Sequence, residues 1–172
     1  KIRNIIAVIM TNINSDILQK KSKILPNGKS FTFHIVVSQW NKIITNSLLI
    51  ATKQTLIKAG VKNENIIIWD VPGSFELIYG SKKAQENNPN AVIAIGSIIQ
   101  GETKHFEYVC QAVTHGIKDL NINSDVPVIF CVLTDSNIEQ AKARSGGKFG
   151  NKGSEAAFAA LKMAELSKNA KK

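Results

Sequence analysis

The stretch Ala91-Val-Ile-Ala-Ile-Gly-Ser-Ile-Ile-Gln-Gly-Glu-Thr-Lys-His-Phe-Glu-Tyr-Val109 decides how the rest of the chain is read. Residues 91–99 are β-branched or small with no charge among them, the composition of a strand buried on both faces. Gly101 breaks the run. Beyond Thr103, an expected N-cap, the apolar residues Phe106, Val109, Val113, Ile117 and Leu120 recur at steps of three and four, the stripe of an amphipathic helix. The turn over 100–104 therefore joins a strand end to a helix start. Unpaired backbone N–H groups and the positive end of the helix dipole make such a turn an anion site. His105 falls in the first helical turn, beside whatever the anion belongs to.

The same alternation extends outward in both directions. Phe33-His-Ile-Val-Val37 reads as a first strand, followed by a helix capped by Asn41, carrying Ile44, Leu48, Ala51, Leu56 and Ala59, and ended by Gly60. Ile66 to Trp69 is a second strand, leading through Asp70-Val-Pro-Gly-Ser74 into a helix over 75–86. After the third strand and its helix, Val128 to Leu133 is a fourth strand with Pro127 at its start, where a missing N–H costs least. Helices over 138–144 and 155–166 follow, separated by the Gly-rich segment 145–153. Strands and helices alternate at roughly 30-residue intervals, the length of a βαβ unit. The pattern predicts a four-stranded parallel sheet with helices on both faces and a ligand site at the carboxyl ends of the strands.

Composition narrows the classes of function. The chain has 172 residues, is 44% hydrophobic and 20% charged, and fits one folded domain. Its net charge of +9 resides at the ends: residues 1–30 and 162–172 carry ten Lys and Arg against two acids, and the remainder holds twelve against eleven. A nucleic-acid module places its basic stripe on a folded face, so the charge distribution argues against that class. Residues 1–30, with a turn at Pro26-Asn-Gly28, read as an arm or disordered leader, and residues 31–172 as the folded domain. The basic start before a short apolar run resembles a signal peptide but is too short, which predicts a cytosolic protein. No apolar stretch is long enough to span a bilayer. Cys110 and Cys131 lack ligand spacing and are expected as reduced, buried thiols. The phosphate loops GxGxxG and GxxxxGK[ST] are absent, as is any metal-ligand spacing.

Several residues carry candidate chemistry. Trp40, at a strand end, offers either a stacking surface for a flat ring or a helix-packing aromatic. Pro72-Gly73-Ser74 exposes backbone donors at a helix start, and Glu76 there is either a dipole-favoured carboxylate or an acceptor for ligand hydroxyls. His34 and His115, mid-strand and mid-helix, read as structural, whereas His105 is placed to carry protons near neutral pH. Arg144 is one of two arginines beside twenty lysines, and its planar fork suits phosphate or carboxylate. Lys152 sits in the loop Gly150-Asn-Lys-Gly153, as a ligand contact or a solvated lysine.

Together these pieces resemble the 6,7-dimethyl-8-ribityllumazine synthase family. The resemblance is carried by Val37-Ser-Gln-Trp-Asn41 with Ile44-Thr45, Val71-Pro-Gly-Ser-Phe-Glu76 and Gly101-Glu-Thr-Lys-His-Phe-Glu-Tyr-Val109. It continues through Pro127-Val-Ile-Phe130 with Val132-Leu-Thr134, then Glu139-Gln-Ala141, Arg144 and Gly150-Asn-Lys-Gly153, in the family's order over residues 31–167. It implies a flavodoxin-like three-layer α/β/α sandwich, the N-terminal arm being a candidate extra strand, and a transferase of riboflavin biosynthesis. The reaction implied condenses 5-amino-6-(D-ribitylamino)uracil with 3,4-dihydroxy-2-butanone 4-phosphate and releases phosphate and water, with no metal and no redox cofactor. The assembly implied is a homopentamer, free or in an icosahedral shell of sixty subunits, with riboflavin synthase as a further partner and with sites between neighbouring subunits.

By the same resemblance, Trp40 stacks on the pyrimidine, and Ser74, Phe75 and Glu76 line the ribityl pocket. Ile98, Ile99 and Gln100 border the ring; Gly101, Glu102 and Thr103 cradle the phosphate; His105 shuttles protons. A neighbouring subunit contributes Phe130 over the ring, Arg144 on the phosphate and Lys152 nearby. This chain departs from the family in three places. Gln100 stands where a basic residue is common, His34 replaces a common Gly, and Phe149 is bulky for its turn. Two other classes remain as rivals: a shell protein with a vestigial site, and a phosphate-sensing flavodoxin-like binding domain.

Overall fold

The computed structural model describes residues 25–170. The reading of residues 1–24 as arm or leader, and of an added strand from it, lies outside the described residues. The elements run β1 (Phe33–Ser38), α1 (Lys42–Lys58), β2 (Ile66–Val71), α2 (Leu77–Gln85), β3 (Ala91–Ile99), α3 (His105–Ile122), β4 (Val128–Asp135) and α4 (Ile138–Arg144). A two-stranded ribbon of β5 (Ser145–Gly147) and β6 (Gly150–Asn151) leads into α5 (Lys152–Ala170). β1 to β4 form a parallel sheet in the order β2-β1-β3-β4. The polypeptide thus winds outward one way from β1 and the other way from β3. The switch point falls between those two central strands, where open α/β sheets leave a crevice at the carboxyl edge.

Two apolar layers hold helices to the sheet. On one face Ile35, Val37, Ile93, Ile95 and Leu133 pack against Ile44, Leu48 and Leu56 of α1 and the small stripe Ala156, Ala157, Ala160 and Ala164 of α5. On the other, Val36, Val92, Ala94 and Val132 meet Leu77 and Ala84 of α2 and Val113 and Ile117 of α3. β1 and the first eight residues of β3 are buried throughout, as central strands covered by helices on both faces must be. Each Val, Ile or Phe side chain among them, fully removed from water, contributes roughly 1.5–3 kcal/mol.

Helix ends differ from the sequence expectation in instructive ways. Gly60 ends α1 as expected: its φ of +91° permits the Val61 N–H to reach Leu56 O at 3.1 Å and its own N–H to reach Ile57 O at 2.9 Å, a Schellman closure. Asn41 does not cap α1 with its side chain. It adopts a left-handed conformation, φ 54° and ψ 47°, and its amide donates instead to Ser97 O at 3.0 Å. Thr103 precedes the cap position, held by Lys104, and its hydroxyl accepts from the His105 N–H at 3.4 Å. The last helix starts at Lys152, so Lys152 is helical rather than in a loop; the Asn151 side chain accepts the Gly153 N–H at 2.8 Å and fixes that start. The turn expected at Pro26–Gly28 closes later, with the Phe31 N–H donating to Gly28 O at 2.9 Å.

Candidate active site

At the switch point a cleft of about 780 Å³ opens between the carboxyl ends of the central strands and the starts of α2 and α3. Its lining includes Trp40 from the β1–α1 turn, Ser74, Phe75 and Glu76 from the β2–α2 turn, and Ile98 and Ile99 from the end of β3. Gly101, Thr103 and His105 complete it from the β3–α3 turn, so residues from three strand ends converge as the sequence predicted. Trp40 and Phe75 are 70% and 54% exposed, and two aromatics so exposed at a cleft mouth offer faces to a ligand rather than to the core.

The floor contains a residue the sequence reading passed over. Ser97 lines the cleft, is 1% exposed, and its hydroxyl lacks a hydrogen-bond partner among the described residues. The Ser74 hydroxyl, 7% exposed, is in the same condition. Buried hydroxyls without partners cost free energy, and both residues border the cleft. The signal was a single polar residue in the otherwise apolar run 91–99. Gly96 makes room here: a Cβ on it would lie 2.8 Å from Ser74 Oγ and 2.9 Å from Leu77 Cδ1.

The turn over 100–104 splits the expected phosphate residues. The Gln100 N–H donates to Asp135 O at 3.0 Å at the end of the sheet, and neither Gln100 nor Glu102 lines the cleft. The N–H groups of Gly101, Glu102 and Thr103 take part in no hydrogen bond among the described residues, and all three residues are exposed. A Cβ on Gly101 would meet nothing within 4 Å, so the backbone there is open to close approach. His105, at the first position of α3, is exposed at the same edge.

Phe130, Arg144 and Lys152 lie elsewhere in the chain, in a groove of about 1220 Å³ along β4, α4 and α5. Lys152 Nζ is 2.7 Å from Glu155 Oε2, and Arg144 Nε is 3.5 Å from Asp135 Oδ1. Burial pushes the Cys131 thiol in this groove up to about 12, helped by Glu155 and opposed by Lys152, so it is protonated and inert at neutral pH. Cys110 is only half-buried, less than expected for it. His34 is structural: 6% exposed, it accepts the Trp69 Nε1 proton on Nδ1 at 3.2 Å. His115 is exposed on α3, and no helix among the described residues is long and apolar enough to cross a membrane.

Fold and cleft together define an α/β protein of the open parallel-sheet type, with a cleft at the carboxyl edge of its strands. Comparison with known proteins gives the particular family. The family described as 6,7-dimethyl-8-ribityllumazine synthase matches residues 30–168. A protein of that name from Christiangramia forsetii is 57% identical over 94% of this chain and 98% of its own length. Another from Flavobacterium johnsoniae is 54% identical over 94% of this chain and 85% of its own, and one from Bacteroides fragilis 50% identical over 78% and 94%. The chain belongs to the 6,7-dimethyl-8-ribityllumazine synthase family and has that family's enzymatic activity.

Proposed function

We propose that this chain condenses 5-amino-6-(D-ribitylamino)uracil with 3,4-dihydroxy-2-butanone 4-phosphate, with the cleft at the switch point as its substrate site. The observation that carries this assignment of the site is the convergence of Trp40, Glu76 and His105 on one cleft whose rim presents unpaired backbone amides. Trp40 stacks on the pyrimidine. Ser74, Phe75 and Glu76 receive the ribityl chain, Glu76 accepting its hydroxyls, and Ser97 joins them as a polar contact in the floor. Ile98 and Ile99 flank the ring. Gly101, Glu102 and Thr103 present their amides to the phosphate.

His105 moves the protons. Imine formation releases one water, and loss of phosphate needs a proton at the leaving oxygen or full charge stabilisation of the dianion. Ring closure, in which the second amine adds to the remaining carbonyl carbon, gives up that amine's proton and releases a second water. One imidazole that gives and takes near neutral pH serves all three. Amide donors and a bidentate guanidinium stabilise the departing phosphate. Holding two substrates in reactive geometry supplies much of the remaining acceleration.

Phe130, Arg144 and Lys152 lie in a different groove from this cleft, so they serve it from a neighbouring copy of the chain. A homopentamer, free or closed into a sixty-subunit shell, brings the two surfaces together. Riboflavin synthase, which consumes the product, is the further partner, and the setting is cytoplasmic. The direct test mixes purified protein with both substrates and follows the lumazine chromophore. Product above the spontaneous background is expected; background-level product from a correctly assembled particle defeats the assignment and favours a shell protein with a vestigial site.

A further inference from the structure

Arg144 is not free to point anywhere. Its Nε lies 3.5 Å from Asp135 Oδ1, and its guanidinium carbon lies 5.7 Å from the centre of the Phe149 ring. Phe149 is itself held, its N–H donating to Ala143 O at 2.9 Å. The two partners approach the guanidinium differently: the carboxylate takes the Nε edge and the aromatic ring takes a cation–π contact. The forked end with its two Nη groups is then the part available to a ligand.

Asp135 is an expensive residue in its place. It is the last residue of β4, its side chain is 6% exposed, and Oδ2 has no hydrogen-bond partner among the described residues. A buried carboxylate with one oxygen unsatisfied costs more than an exposed ion pair returns. Burial raises the Asp135 pKa, and the charge of Arg144 opposes that rise.

We propose that Asp135 is a positioning residue for Arg144, holding the guanidinium through Nε so that both Nη groups face the phosphate of the butanone substrate. The inference rests on the assignment of Arg144 to that phosphate. An exposed arginine must lose most of its rotamer freedom when it grips a ligand bidentately. Asp135 makes that loss in advance, in the free enzyme. Its negative charge also opposes the phosphate, so removal has two effects of opposite sign, and the sign observed decides between them.

The experiment compares wild type, Asp135→Ala, Asp135→Asn, Arg144→Ala and the double variant Asp135→Ala/Arg144→Ala. For each, KM toward both substrates, kcat, particle size and thermal midpoint are measured. Positioning predicts that Asp135→Ala raises KM for the butanone phosphate about tenfold, leaves KM for the pyrimidine unchanged and keeps the assembly. Asp135→Asn, which retains an oxygen acceptor for Nε, recovers part of that loss. In the Arg144→Ala background, Asp135→Ala has no further effect on KM for the phosphate substrate. An unchanged or lowered KM for the phosphate substrate in Asp135→Ala, while Arg144→Ala raises it, overturns the positioning role alone. No effect of Arg144→Ala on that KM overturns the phosphate assignment and the inference with it.

Discussion

The side-chain amide of Asn41 donates to the backbone carbonyl of Ser97 at 3.0 Å, a bond that crosses the switch point from the turn after β1 to the end of β3. Asn41 gives up side-chain capping of α1 to make it and adopts a left-handed backbone that asparagine tolerates better than most residues. Trp40, one residue earlier, stands at the mouth of the cleft, its N–H donating to Ser38 Oγ at 3.2 Å. Replacement separates the two contributions. Asn41→Gly loses the hydrogen bond, worth about 1 kcal/mol, and keeps the conformation. Asn41→Ala loses it too and adds roughly 1–2 kcal/mol of left-handed strain. Urea titration is expected to rank wild type above Gly above Ala; equal stability of all three removes the bond from any structural role.

His105 is exposed, so its removal touches no core contact. His105→Ala is expected to lower turnover by roughly 10²-fold or more while particle size and thermal midpoint stay at wild-type values. Near-normal turnover takes His105 out of the mechanism.

Gly101 separates fold from chemistry more sharply. No atom lies within 4 Å of where its Cβ would be, and its φ is not in the left-handed range, so Gly101→Ala is expected to fold with an unchanged midpoint. The added methyl obstructs close approach of the phosphate to the open amides and raises KM for the butanone phosphate. Unchanged steady-state constants in that variant show that the phosphate sits elsewhere.

Ser97→Ala removes a buried hydroxyl that no described residue satisfies. Stability is expected to hold or rise, because an unsatisfied buried polar group is lost. KM for the pyrimidine substrate is expected to rise. A fall in stability with unaltered KM makes Ser97 a packing residue only.

The pH dependence of stability follows from His34. Burial lowers its pKa below 6.5, so the folded protein favours the neutral ring, which also accepts the Trp69 proton. Above that value both states are neutral and the full stability is present. As pH falls through it, the unfolded chain binds the proton first and stability declines until the folded pKa is passed. Denaturant midpoints measured between about pH 7 and pH 5 are expected to fall more steeply for wild type than for His34→Gln. Parallel curves exclude His34 as the source.

Much of this protein was legible in the chain itself. Uncharged, largely apolar runs such as Ala91–Ile99 mark strands buried on both faces, and the three-and-four spacing from Phe106 to Leu120 marks a helix, because both patterns are set by local backbone geometry and by which face meets water. Alternation of the two implies a parallel sheet, which gathers Trp40, Glu76 and His105 at one edge. The family motifs lie in the same turns for the same reason.

Other features were decided only by tertiary structure. That Asn41 reaches Ser97 instead of capping its own helix depends on residues 56 positions apart meeting across the strand switch. That Ser97 belongs to the cleft, while Gln100 does not, depends on where the end of β3 pairs with Asp135. That Phe130, Arg144 and Lys152 share a groove apart from Trp40 depends on β4 lying at the sheet edge, under α4 and α5. Sequence periodicity specifies which face of an element is apolar. The partner of a buried polar atom is chosen by distance in the folded molecule, and no local pattern encodes it.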